Sequence, residues 1–292
     1  MEAIKVTSLT KYYGKARGVI DVDLAVNEGD FFGFIGPNGA GKSTTIRTAL
    51  GLIKPTSGSV SVLGKEPFKD RKAMLSDVGY IPSEAMFYGG MRVSDCIKLS
   101  ADLRGMDCAE EAKKLCERLS LDTTKKINQL SLGNRKKVAI VCAMQHKPKL
   151  YVLDEPTSGL DPLMQKEFFS LLEERNKEGA TIFLSSHILS EVERHCKKAA
   201  IIREGRIAAC DSVDKLGQTN VKRVMLRGVE EIPAMDGIRD MKSEDNSVSF
   251  LYNGDVKSLL EMIISLPVAD ITVAQPDLDE IFMHYYQEGE DR

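Results

Sequence analysis

Residues 34–46 read FIGPNGAGKSTTI, and the spacing inside this stretch decides the fold. Gly36, Gly41, Lys42 and Ser43 satisfy the pattern G-x-x-x-x-G-K-[ST]. Glycines let the backbone turn tightly enough to aim several N–H groups into one concavity, which suits phosphate oxygens. A helix that follows at once adds the positive end of its dipole. In such a loop the Lys42 ammonium reaches the outer phosphates and the Ser43 hydroxyl ligates Mg²⁺. The flanks agree with this reading. FFGFI at 31–35 is a short apolar run of strand character, and Ile46, Leu50 and Ile53 follow at helical spacing until Pro55. Strand, glycine loop and helix together predict a nucleotide phosphate site.

Hydrolysis of a bound nucleotide also needs a carboxylate for Mg²⁺ and a base for the attacking water. LYVLDEPTSGLD, residues 150–161, offers both. An apolar strand ending in Asp154 places one carboxylate at the carboxyl edge of a sheet, and Glu155 comes directly after it. His187, at the end of ATIFLSS (180–186), is placed to donate a hydrogen bond to a γ-phosphate.

The rest of the composition narrows the setting. A chain of 292 residues can bury one sizeable core and a second, smaller one. With 40 basic against 43 acidic residues the net charge is only -3, and no global field favours a nucleic-acid partner. The cluster RKK at 135–137 reads as a solvated helix face. The longest apolar stretch, VAIVCAM at 138–144, falls far short of the roughly 20 residues that span a bilayer. The start, MEAIKVTSLTKYYGK, lacks the apolar core of a secretory signal, so the expected location is cytoplasmic. Six cysteines without a C-x-x-C pair predict reduced thiols.

Along the chain, IKVTSL, VIDVDLAV, FFGFI, GSVSVLG and DVGYI are strand-like and closely spaced. They predict an antiparallel subsheet around the nucleotide site. Between residues 87 and 147 the apolar spacing turns helical, as in Ala109, Ala112, Leu115, Cys116 and Leu119, which predicts a helical insertion. LYVLD and ATIFLSS then bracket a helix that Asp161 caps and Pro162 starts, with Met164, Phe168, Leu171 and Leu172 on its core face. A hairpin is expected at REGR (203–206). Strand and helix in alternation imply an α/β fold with a parallel core sheet. Beyond residue 217 the texture changes to SVSFLY, DVKSLLEMIISL and DLDEIFMHYY, enough for a small α+β domain over 217–292.

These motifs together resemble the ATP-binding subunits of ABC transporters over residues 2–216. GPNGAGKST, that is Gly36, Pro37, Asn38, Gly39, Ala40, Gly41, Lys42, Ser43 and Thr44, resembles their Walker A motif; LYVLDE resembles Walker B, SGLD the D-loop and His187 the switch histidine. LSLGNRKK (130–137) is similar to the family signature, and Tyr13 matches the aromatic that stacks on adenine. The resemblance implies a P-loop NTPase fold with a mixed core sheet, an antiparallel β subdomain and a helical subdomain. It also implies ATP and Mg²⁺ as ligands. Ser131 begins an apolar helix, so its exposed amides and Gly133 form a second anion-binding start. In the family the signature of one subunit closes on the γ-phosphate held by another, which implies a dimer, a homodimer before a heterodimer. The family also implies a separate transmembrane permease, with this chain peripheral on the cytoplasmic face and the extension over 217–292 of an exporter type. EAMFYGGMRVSD (84–95) is the expected permease contact.

Two departures stand out. Leu132 and Asn134 replace the commoner Gly and Gln of the signature, and Ser83 stands where the family usually has the glutamine that touches Mg²⁺ and the attacking water. A bridging water or Glu84 could take over that contact. Two other readings stay open on the residues alone: a soluble ABC ATPase with a role outside transport, and a degenerate subunit that binds ATP only to regulate.

Overall fold

Two hydrophobic patterns make two kinds of strand in the computed structural model, which describes residues 1–217 and 222–274. In β1 (Glu2–Tyr13) and β2 (Ala16–Asn27) buried and exposed residues broadly alternate, the pattern of a sheet with one solvated face. β3 (Phe31–Ile35) is buried at every residue and leads through the glycine loop into α1 (Lys42–Ala49). β4 (Ser57–Val62) pairs antiparallel with β1, completing a three-stranded sheet in the order β2-β1-β4. α2 (Arg71–Leu75) precedes β5 (Val78–Ile81). The expectation that FFGFI and DVGYI belong to the antiparallel sheet is corrected here. β3 and β5 lie in a separate six-stranded sheet, because a strand covered on both faces is apolar throughout rather than alternating.

α3 (Val93–Asp102), α4 (Ala109–Arg118) and α5 (Leu132–Met144) follow as a helical subdomain before β6 (Leu150–Asp154). α6 (Pro162–Lys177) starts where the Asp161 carboxylate accepts the Met164 N–H at 3.0 Å, with Pro162 in the first turn. It buries Phe168, Phe169, Leu171 and Leu172, while Met164 is only half-buried. β7 (Thr181–Ser186), α7 (Leu189–His195), β8 (Lys198–Arg203) and β9 (Arg206–Ser212) complete this part, β8 and β9 meeting at the REGR turn.

The large sheet runs β5-β6-β7-β3-β8-β9, with β5 through β8 parallel. Its order assembles the site. β6, β7 and β3 are neighbours, Asp154 lies opposite Ser185, and Ile35 lies opposite Ser186. Their carboxyl ends therefore bring the Walker B carboxylates, His187 and the glycine loop to one edge, where ligands bind in open α/β sheets. The antiparallel sheet shares a core with this unit, since Val6, Leu9, Val22 and Leu24 pack with Phe32, Phe34, Ile46 and Leu50.

The chain divides into two units, Met1–Asp211 and Ser212–Arg292. In the second, α8 (Val213–Gly217) precedes β10 (Lys222–Arg227), β11 (Ile238–Glu244), β12 (Ser247–Tyr252), α9 (Val256–Ile264) and β13 (Asp270–Ala274). The strands form an antiparallel sheet, β11-β12-β10-β13. Leu259 and Ile263 of α9 join Val224, Leu226, Val248 and Phe250 in its core. DLDEIFMHYY lies outside the described residues. All six cysteines are free. Among the described residues no helix is long and apolar enough to cross a membrane.

Candidate active site

The glycine loop is built by close approach. A Cβ on Gly36 would lie 2.5 Å from the Ile202 carbonyl oxygen, and Gly41 sits at φ 112, a left-handed conformation that excludes most side chains. α1 therefore begins without a side-chain cap. Lys42 is 5% exposed, and its ammonium donates to the carbonyls of Gly36 and Pro37, so the loop wraps around its own lysine. A cleft of about 290 Å³ opens here, lined by Tyr13, Asn38, Gly39, Ser43, Thr44 and Glu155, with Pro37, Gly41 and Lys42 also on its wall. The Tyr13 hydroxyl is 3.4 Å from Thr44 Oγ1. Ala40 is buried, and its carbonyl accepts the Gly205 N–H at 2.9 Å.

Asp154 is fully buried at the end of β6. Burial pushes its carboxyl above the usual range, while hydrogen bonds from the Ser43 and Ser185 hydroxyls act the other way. Its Oδ1 accepts from Ser185 at 3.3 Å, and its Oδ2 has no hydrogen-bond partner. An orphaned, buried carboxylate oxygen beside a serine hydroxyl is a pair of hard oxygen donors, the chemistry Mg²⁺ takes. Among the described residues no cluster of three or more His, Cys, Asp or Glu forms a metal cage.

Glu155 has φ 49, in the left-handed region that costs an L-residue about 1 kcal/mol or more. The turn carries its side chain back over the loop. Oε1 lies 3.3 Å from the Lys42 ammonium and 3.3 Å from His187 Nδ1. One carboxylate thus sits between the lysine of the glycine loop and the histidine that follows β7.

A different helix start carries Ser131 and Gly133. The Ser131 hydroxyl accepts the Asn134 N–H at 3.4 Å, and a Cβ on Gly133 would lie 2.6 Å from the Gly159 carbonyl oxygen. The SGLD loop therefore packs directly on the start of α5. Neither residue lines the cleft around Lys42.

The comparisons with known proteins agree with this geometry. A family model described as ABC transporter matches residues 19–158. The bacitracin transport ATP-binding protein BcrA of Bacillus licheniformis is 34% identical over 293 residues, covering 96% of each chain. The chain belongs to the ABC transporter ATP-binding proteins. A solved ATP-binding subunit of an ABC transporter is 32% identical, with TM-score 0.69 over 73% of this chain and 91% of that one. A dimeric bacterial ABC transporter cassette is 25% identical, with TM-score 0.66 over 72% of this chain and 98% of that one. This ABC protein is an ATPase that binds nucleotide and powers transport.

Two residues at the site escaped the reading of the sequence. Arg17, the second residue of β2, lines the cleft, and its guanidinium donates to the Glu204 carbonyl at 2.6 Å. Lys136 corrects the reading of RKK as a solvated face. It is 3% exposed, and its ammonium donates to the carbonyls of Pro82 (3.2 Å), Ser83 (3.0 Å) and Glu155 (3.1 Å). Ser83 meets the site through this backbone bond and does not line the cleft.

Proposed function

We propose that this ABC subunit works as one of two ATP-binding subunits that close on ATP and drive a separate transmembrane permease in the direction of export. Mg²⁺, held by the Ser43 hydroxyl and Asp154, would neutralise charge on the phosphate oxygens. Lys42 and the amides of 38–44 hold the phosphates, Tyr13 meets the adenine, and His187 donates to the γ-phosphate. Glu155 takes a proton from the water whose oxygen attacks the γ-phosphorus as the bond to the β-phosphate oxygen breaks. Ser131 and Gly133 of one copy would complete the site of the other, which accords with their distance from their own cleft and with the dimeric relative.

One observation carries the permease reading. Beyond Ser83 the chain exposes Met86 (88%) and Tyr88 (77%), which with Phe87, Met91, Leu99 and Leu103 line a groove of about 500 Å³. Large apolar groups held open at a surface mark a partner site, and a short apolar helix fits such a groove. Because the groove continues in the chain from Ser83, whose carbonyl shares an ammonium with that of Glu155, events at the phosphate have a short route to it. The extension over 217–292 serves as an accessory domain. The location on the cytoplasmic membrane face follows from the permease. The name of the Bacillus licheniformis relative makes bacitracin the first cargo to assay.

The test is recruitment to membranes containing the cognate permease. Tyr88→Asp is expected to lower recruitment about tenfold, the loss of one well-buried anchor, with ATP affinity and thermal unfolding unchanged. Normal recruitment of that variant would sink the groove assignment.

A further inference from the structure

Lys136 lies in the second turn of α5, inside a patterned helix whose neighbours Val138, Ile140 and Val141 are buried apolar groups. An ammonium has three protons, and three carbonyls receive them here, those of Pro82, Ser83 and Glu155. Taking an ammonium out of water costs several kcal/mol, so an apolar residue would fill this place more cheaply if packing were its purpose. Burial pushes its pKa down, and the nearby Asp154 and Glu155 carboxylates oppose that shift.

What the ammonium grips is informative. The Glu155 N–H donates to the Ser185 carbonyl at 3.0 Å, and the Glu155 carbonyl accepts from Lys136 at 3.1 Å. The turn bond from Ser158 N–H to that same carbonyl is longer, at 3.4 Å. Both peptide groups flanking the Glu155 Cα are therefore anchored. With the backbone held at φ 49, the direction of its side chain toward Lys42 and His187 is set. The same ammonium ties down the Pro82–Ser83 segment. It stands five residues from Ser131, about 7.5 Å along the helix axis.

We propose that Lys136 is a positioning residue for hydrolysis: by clamping the carbonyls of Glu155 and Ser83 to α5, it aims the Glu155 carboxylate, while contributing nothing to nucleotide affinity. This inference rests on Glu155 being the base. Steady-state ATP hydrolysis by the full chain tests it as a cycle. Lys136→Met is expected to lower kcat about 100-fold, the effect of misplacing a catalytic group by about an ångström, with KM for ATP raised by no more than about twofold. Lys136→Arg, which keeps the donors, is expected to recover at least a tenth of the parent kcat. In a Glu155→Gln background, Lys136→Met is expected to change the residual rate by less than about twofold, because it acts through a base already removed. A parental kcat in Lys136→Met, or a loss that persists undiminished in the Glu155→Gln background, overturns the inference alone. Parental turnover in Glu155→Gln by itself overturns both the inference and the base assignment. Should Lys136→Met fail to unfold cooperatively, Lys136→Gln takes its place in the cycle, with the same rates expected and the same results overturning the inference.

Discussion

The two helix starts proposed to meet phosphate are built differently. α1 begins at Gly41, left-handed and without a side-chain cap, and its Lys42 is wrapped by the carbonyls of its own loop. α5 begins at Ser131, whose own hydroxyl already accepts an amide, and Ser131 and Leu132 are exposed. A start whose amides have no internal competitor, backed by a buried cation, is a complete cradle. A start that is partly satisfied and turned outward lends its field to an anion that something else holds. The two should therefore fail in different ways when altered.

The largest effect is expected on the α1 side, at the base that leans on its lysine. Glu155→Gln is expected to lower phosphate release by about 10²–10⁴-fold without weakening ATP binding, measured by single-turnover and steady-state assays. Next, Lys42→Ala is expected to weaken nucleotide affinity by about 10–100-fold, since a charge-assisted contact is lost, measured by titration calorimetry. On the α5 side, Ser131→Arg is expected to leave the affinity of a single copy for ATP intact. Sedimentation of the Glu155→Gln protein with ATP and Mg²⁺ should show its dimer weakened about tenfold, as crowding at an interface would do. If Ser131→Arg instead reduced single-copy affinity as much as Lys42→Ala, the contrast between a cradle and a lid would be gone. Smallest of all, Ser131→Ala is expected to lower stability by about 1 kcal/mol or less, because a cap at 3.4 Å is long, and thermal unfolding measures it.

Much of the site was legible because its signals are local. The glycine loop, Asp154 with Glu155, and the Asp161 cap each depend on residues within a few positions of one another, and local geometry obeys local spacing. Pairing partners are not local. FFGFI and VGYI are too short to reveal which sheet they join, and only the lack of any exposed residue separates them from the alternating β1 and β2. Arg17 reaches the cleft only once β1 and β2 pair in register, with Tyr12 opposite Arg17. Lys136 was hidden by its company, since Arg135 and Lys137 are the same kind of residue. Helical phase would have revealed it, because Gly133, Lys136, Ile140 and Ala143 fall on one face, and Ile140 and Ala143 are core.

The contact between Lys42 and Glu155 makes the protein its own competitor. In the proposed roles, the cation that would draw phosphate is already paired with the residue that would activate the attacking water, so an incoming nucleotide exchanges one anion for another rather than finding a bare charge. Glu155→Gln removes that rival. Its affinity should then rise about fivefold for ADP as well as ATP, the worth of roughly one contact of about 1 kcal/mol. ADP cannot be trapped by lost hydrolysis, so a titration with ADP separates release from rivalry. An unchanged ADP affinity would mean that the carboxylate swings clear of the lysine at no cost.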